Sequence, residues 1–333
     1  MKPYGKLSQE ELSELLGILT RRDPSVLLGP AIGEDAAIVD LGDKVLVTHS
    51  DPITGASELA GWLSVHVAAN DIATRGVKPS WLVTTLLLPQ TFSREQLKNL
   101  ASQIRSAADE IDATVIGGHT EITPGLDRPI IITTAFGAGE KKKFFTTSGA
   151  RDGDLLVATK DAALEGTSII ATDFHDKLLG KIDKSILENA KNFIREISVV
   201  KEALTAAQIH GVHAMHDATE GGILAAALEI AYASRLSIVL YEEKVPIRRE
   251  TAQICRALGL DPLRLISSGT LLIAVQPESA PILIERLQKE GIKATIIGEF
   301  KKNGHSLLVK KTGEKIEIRL PVAEELWRLF LHT

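Results

Sequence analysis

The chain has 333 residues, of which 44% are apolar and 24% charged, and its formal net charge is -5. This length predicts two cores, the composition excludes a disordered or fibrous protein, and the negative balance offers no global field to draw nucleic acid or an anionic membrane. Its single cysteine, Cys255, excludes an intramolecular disulfide framework and a thiolate metal cluster, and a reducing, cytoplasmic setting is expected.

SQEELSELLGIL opens with Ser8 as a cap and Glu11 three residues on, followed by leucines at helical spacing, and its glutamates distinguish it from a signal peptide. AAIVD and KVLVTHSDPI are short β-branched runs bounded by Gly42 and Pro52. A helix from roughly Leu59 to Arg75, the strand WLVTTLLLP, a helix from Ser93 to Ile111, the strand TVIGG and the strand PIIITTAFGAG follow, about five strands in all. Apolar periodicity lapses through GEKKKFFTTSGARDGD, which places a domain boundary there and predicts domains of residues 1–148 and 149–333. The second half reads as strand DLLVATK, helices between Ser185 and Gln208, an HDATEGG turn with its helix, strand LSIVLY and a helix from Arg249 to Leu258. Strand TLLIAV, a helix from Glu278 to Glu290, strand KATIIGEF and a hairpin through Lys311 to Ile318 close it. No run of about 18 apolar residues appears, so no membrane span is expected.

Acids recur where these elements end. In GEDAAIVD, Asp35 follows a glycine and precedes a buried strand, a place for a carboxylate aimed at a metal ion or for an ordinary β-turn. KVLVT delivers Asp51 to its end, where Pro52 stops the ladder. In WLSVHVAANDIATRG the pair Asn70 and Asp71 sits in a helix that is apolar around nearly its whole circumference, which argues burial, and a buried carboxylate wants a cation. In VIGGHTEI, Gly117 and Gly118 either let a ligand approach the backbone or form a tight turn, and His119, Thr120 and Glu121 follow. In HDATEGG, Asp217 and Thr219 are good helix-start residues, and Gly221 and Gly222 leave first-turn amides open to an anion unless they serve only capping and close packing. His119, His216 and Glu220 are the candidates for moving a proton. The recurring acids suggest Mg²⁺ carrying a nucleotide polyphosphate, with ATP the natural choice. Neither G-x-x-x-x-G-K-[ST] nor G-x-G-x-x-G after a strand is present, so the phosphate site is of another type.

Taken together and in order, GEDAA, HSDPI, NDIATRGVKP, VIGGHTE and HDATEGG, spread from Leu28 to Val275, resemble the aminoimidazole ribonucleotide (AIR) synthase superfamily. Its members include the HypE hydrogenase maturation proteins, selenophosphate synthetases and thiamine-monophosphate kinases. The likeness is greatest to HypE, through HDATEGGILAAALEIA and the segment from Leu260 to Ile273. The resemblance implies a mixed α+β and α/β, two-domain PurM-like fold. Its amino-terminal sheet would pair across a homodimer into a β-barrel, and a carboxy-terminal α/β domain would pack alongside. It further implies that Asp35, Asp51 and Asp71 hold Mg²⁺ and the ATP phosphates, that Asn70, Gly117 and Gly118 shape the pocket, and that Asp217, Thr219, Gly221 and Gly222 face substrate or phosphates.

The chemistry so implied is ATP-dependent transfer of phosphate to an oxygen or selenium nucleophile, often an amide oxygen that then leaves as phosphate. The substrate would be a small molecule or a protein-borne group, with a maturation protein as partner. A small-molecule kinase of the thiamine-monophosphate type and a non-catalytic nucleotide-binding partner are the alternatives. The sequence departs from HypE in ending LWRLFLHT, without the tail cysteine on which those proteins dehydrate a thiocarboxamide, and in carrying SSGTLL, Ser267 to Leu272, where HypE has an acidic loop. The reactive amino-terminal segment of selenophosphate synthetase and the Gly-Glu-Asp-Tyr segment of the kinase have no counterpart.

Overall fold

The computed structural model describes residues 7–54 and 58–330, so Gly55 of the HSDPITG segment and the last three residues of LWRLFLHT lie outside the described residues. The first helix, α1 (Gln9–Leu19), begins as expected: Ser8 accepts a hydrogen bond from the Glu11 amide at 3.3 Å. Strands β1 (Val26–Leu28), β2 (Ala37–Asp40) and β3 (Lys44–Ile53) precede α2 (Ala60–Thr74). Then come β4 (Trp81–Leu88), α3 (Arg94–Glu110), β5 (Thr114–Ile122) and β6 (Ile130–Glu140). A capping box fixes the start of α3, with the Gln96 amide donating to Ser93 Oγ and the Ser93 amide donating to Gln96 Oε1.

These six strands form one sheet in the order β1-β2-β3-β6-β4-β5, antiparallel throughout except for the parallel pair β4 and β5. Alternation sorts its faces: Val45, Val47, Leu82, Ile131 and Ala135 are buried toward α2 and α3. The opposite face leaves Val83, Leu87, Ile132 and Phe136 only half-buried and Trp81 41% exposed. Edge strand β5 is exposed along its whole length, with Ile116 and Ile122 well over half exposed. The sheet stays open, and no closed barrel forms within one chain.

The remaining elements are β7 (Leu155–Thr159), α4 (Leu164–Asp173), α5 (His175–Leu178), α6 (Lys184–Lys191), α7 (Val200–Ala206), β8 (Val212–Asp217), α8 (Gly222–Ala233), β9 (Ser237–Tyr241), α9 (Arg249–Leu258), β10 (Leu271–Val275), α10 (Ala280–Lys289), β11 (Ala294–Lys301), β12 (Leu307–Val309) and β13 (Lys315–Glu317). Their sheet runs β13-β12-β9-β11-β7-β10-β8, with only β12 and β9 parallel. Helix α2 is buried along all but one of its residues because it packs on β3 and β6 on one side and on α3, α7 and β8 on others. It is the element the two sheets share. Among the described residues no helix is long and apolar enough to cross a membrane.

Several elements depart from expectation. Strands β1 and β8 and helices α4 and α5 were not foreseen, so the first sheet has six strands rather than about five. Gly166 and a run of Thr and Ser weaken helix propensity in α4, but packing prevails, since a Cβ on Gly166 would lie 2.5 Å from Leu265. Strand β5 also runs through its glycine pair instead of ending there. A Cβ on Gly118 would lie 1.9 Å from the Thr84 carbonyl oxygen, so close strand contact within the chain requires this glycine.

Candidate nucleotide and metal site

The acid-bearing ends converge where α2 passes between the sheets. Glu34 and Asp35 precede β2, His49 and Asp51 lie near the end of β3, Asp71 lies in α2, and His216 and Asp217 end β8. Donor atoms of Asp35, His216 and Asp217 form one group within 4.8 Å of one another, and those of His49, Asp51 and Asp71 form a second. His49 Nε2 lies 3.2 Å from Asp51 Oδ1 and 3.7 Å from Asp71 Oδ2. Asp71 and Asp217 are buried, and Oδ2 of each has no hydrogen-bond partner. Burial, reinforced by the charges of Asp217, Asp51 and Asp35, raises the Asp71 carboxyl well above its ordinary range. Burial and Asp35 likewise push Asp217 up to about 7. Buried carboxylate oxygens without hydrogen-bond partners in these two neighbouring groups fit an oxygen-preferring divalent cation.

Asp35 is held differently. Arg75, completely buried, donates from Nη2 to Asp35 Oδ2 at 2.8 Å, Thr147 Oγ1 at 3.0 Å and the Met215 carbonyl at 3.0 Å, and from Nη1 to Glu34 Oε2 at 2.7 Å. This one guanidinium ties the segment before β2 to the strand β8 of the other sheet. His216 Nδ1 contacts Asp35 Oδ1, and its Nε2 lies 2.8 Å from Glu229 Oε2. Burial alone would lower the His216 pKa, but Asp35 and Glu229 hold the ring protonated up to about 10. Burial opposes ionisation of Asp35, yet His216 and Arg75 bring it down to about 2. Both oxygens of Asp35 are therefore engaged, one by Arg75 and one by His216, and these partners favour the protonated imidazole. Asp35, expected to hold the metal, thus shares its oxygens with two cations of the chain, while it remains within ligand distance of His216 and Asp217.

Asn70 is fully buried and already paired: its Nδ2 donates to the Ile197 carbonyl at 2.9 Å, and its Oδ1 accepts from the Val199 amide at 2.8 Å. It clamps the segment before α7 instead of lining an open pocket. His119 is exposed on β5 beside Glu121. It pairs in register with Thr85, which is opposite Ile132, which is opposite Pro52. Three strand spacings, about 14 Å, thus separate it from the end of β3 within one chain. Gly117 faces open space.

The mouth of α8 also differs from expectation. Gly221 and Gly222 have φ of 79° and 65°, as the turn requires. The Gly221 amide donates to Glu324 Oε2 at 2.6 Å, the Gly222 amide to the Thr219 carbonyl at 3.0 Å, and the Leu224 amide to the Leu263 carbonyl at 3.0 Å. Glu324 also accepts from Ile266 and Leu326 amides. A carboxylate of the protein itself fills the place expected for phosphate, while Glu220 stands half-buried nearby. Burial lifts Glu324 to about 7, and it does the same to Glu165, which also lies close to Ser268. Sequence reasoning missed His49, Arg75, Glu229 and Glu324. The first carried a signal, since alternation along HSDPI puts His49 on the same side as Asp51.

Comparison with known proteins agrees with this arrangement. Residues 33–138 match the family model for the N-terminal domain of AIR synthase related protein, and residues 151–310 match the model for its C-terminal domain. A Methanocaldococcus jannaschii protein assigned by name to hydrogenase expression and formation is 28% identical over 303 residues, spanning 89% of this chain and 88% of its own length. Carbamoyl dehydratase HypE of Escherichia coli (strain K12) is 26% identical over 310 residues, 89% of each chain. Among solved structures, hydrogenase maturation protein HypE in complex with ATP superposes with a TM-score of 0.73 at 21% identity, covering 97% of both chains. HypE of a HypE-HypF complex gives 0.74 at 20% identity, covering 93% of this chain and 99% of that one. AaThiL complexed with AMPPCP and TMP gives 0.74 at 19% identity, covering 95% and 98%. These likenesses establish a two-domain PurM-like fold. With both domain models matched in chain order and the converging acids inside them, the chain belongs to the AIR synthase related family of enzymes.

Proposed function

We propose that this chain is a HypE-like, Mg²⁺-dependent, ATP-using enzyme that activates an amide or carbonyl-type oxygen by phosphoryl transfer in the maturation of a hydrogenase or related metalloenzyme. The observation that carries the reading is that Asp71 and Asp217, from opposite halves of the chain, lie in two acid groups close enough for their charges to act on each other, each with a buried oxygen that accepts no hydrogen bond. The relatives named carbamoyl dehydratase and the HypE structure with ATP support it.

Asp51 and Asp71 in one group, and Asp35 and Asp217 in the other, would hold divalent cations, which when bound neutralise charge on the polyphosphate. Arg75 and His216 keep Asp35 ionised and immobile beside them, so the electrostatic field of the site is set before any ligand arrives. The half-buried apolar sheet face and the unpaired edge β5 suit a second copy of the chain, which would bring Gly117, Gly118 and His119 into reach of a neighbouring site. Cys255 is buried, and burial pushes its thiol up to about 12, so it does not serve as an acceptor of the transferred group. This favours a small molecule or a group on a partner protein as acceptor over Cys255.

Nucleotide product analysis with a carboxamide-bearing thiol peptide as acceptor tests this. The reading expects ADP and inorganic phosphate in equal amounts, dependent on acceptor. ADP with a stable phosphorylated acceptor would move the assignment to a kinase of the ThiL type, which shares the fold. Nucleotide binding without turnover on any acceptor would favour the non-catalytic partner.

A further inference from the structure

We infer that α1 is an interaction surface for a second copy of this chain, packing antiparallel against the same helix of that copy. The inference goes beyond the nucleotide site and does not depend on it. Leu12, Leu15, Leu16 and Leu19 recur at i, i+3, i+4 and i+7 and form one apolar stripe, with Glu10, Ser13, Glu14 and Gly17 on the far side. A stripe of this kind ordinarily packs on a neighbour, yet none of the described helices or strands packs along α1. Leu12 and Leu16 are half-buried, while Leu15 and Leu19 are 41% and 68% exposed, and Ile18 beside them is 76% exposed. A helix of 11 residues is marginal in water on its own, so α1 needs a packing partner.

Two observations choose a second copy as that partner. The first is self-complementary charge: Glu10 and Glu11 lie in the first turn, and Arg21 and Arg22, both exposed, follow the last helical residue, Leu19. An antiparallel pair that sets Leu15 beside the partner's Leu16 and Leu12 beside the partner's Leu19 brings Glu10 next to the partner's Arg21. The two-fold axis repeats this contact, and each positive helix end meets a negative one. The second is continuity. Residues 20–25 lead from α1 into β1, the edge of the first sheet opposite β5, where Val26, Leu27 and Leu41 are also exposed. Two short helices alone bury less than the roughly 1,200 Å² at which stable interfaces begin, so the pair extends a contact between sheets rather than replacing it.

The test is analytical ultracentrifugation of the full chain over a range of concentrations, with melting curves to show that each variant is folded. All the substituted positions are exposed, so the fold is expected to tolerate them. Leu15→Glu with Leu19→Glu is expected to raise the dimer dissociation constant about tenfold or more. Arg21→Glu sets acid against acid and is expected to raise it about threefold or more, and adding Glu10→Arg to that variant is expected to restore the wild-type value. A dissociation constant unchanged by the leucine substitutions overturns the role of α1 and leaves any contact through β5 standing. No weakening in Arg21→Glu, or weakening that Glu10→Arg does not reverse, overturns the antiparallel pairing with a second α1. A monomeric wild type at micromolar concentration overturns the inference outright.

Discussion

Glu165 offers a sharp test of the electrostatics behind the second sheet. Its side chain is buried, its Oε2 has no hydrogen-bond partner, and burial moves its pKa from 4.5 to about 7, with Glu324 and Glu220 adding to the rise. A raised carboxyl binds its proton more tightly in the folded chain than in the unfolded one. The stability it contributes is therefore complete below pH 4.5 and is lost as pH rises through about 7. The shift of roughly 2.5 pH units corresponds to about 3 kcal/mol. Glu165→Gln mimics the protonated form at every pH, so it removes this dependence while keeping the shape. Urea unfolding of both proteins at about pH 5 and about pH 8 measures it. The variant is expected to exceed wild type by less than about 1 kcal/mol near pH 5 and by about 3 kcal/mol near pH 8. Equal pH slopes in the two proteins, or a loss of stability in the variant at both pH values, would refute the reasoning.

Arg75→Ala strips the buried Glu34 carboxylate of its guanidinium partner and leaves Asp35 with His216 alone, and is expected to cost about 3 to 5 kcal/mol in urea unfolding. Arg75→Lys, which keeps the charge without the fork, should fall between it and wild type. Asn70→Ala leaves a buried amide and carbonyl unpaired, so a loss of about 2 kcal/mol or more is expected, and a loss within error would show that the clamp is dispensable. Ile116→Glu places a charge on the exposed apolar edge of β5 and is expected to convert a dimer to a monomer in light scattering. A dimer unchanged by this substitution would exclude edge pairing through β5.

Local patterns in the sequence mapped the first sheet well because each element carries its own signal. Ser93 and Gln96 announce α3, and alternation announces β3 and β4. The all-apolar circumference of α2 likewise told that Asp71 is buried. What remained hidden depends on distant partners. Asn70 looked like a ligand because its clamp on residues 197–199 lies more than a hundred positions away, and the mouth of α8 looked open because Glu324, equally distant, fills it. Nothing local reveals that Arg75 and His216 engage both oxygens of Asp35. Buried polar groups advertise that they need partners, but only the fold says which partners they find.

The central claim is that Asp71 and its neighbours hold a cation that carries ATP, and titration calorimetry of ATP into the protein, with and without Mg²⁺, tests it most directly. Wild type is expected to bind ATP saturably only with the divalent ion. Asp71→Asn, shown by its melting curve to be folded, is expected to lose that binding. Equal ATP affinity with and without the ion, or unaltered Mg²⁺-dependent binding in Asp71→Asn, would contradict the account.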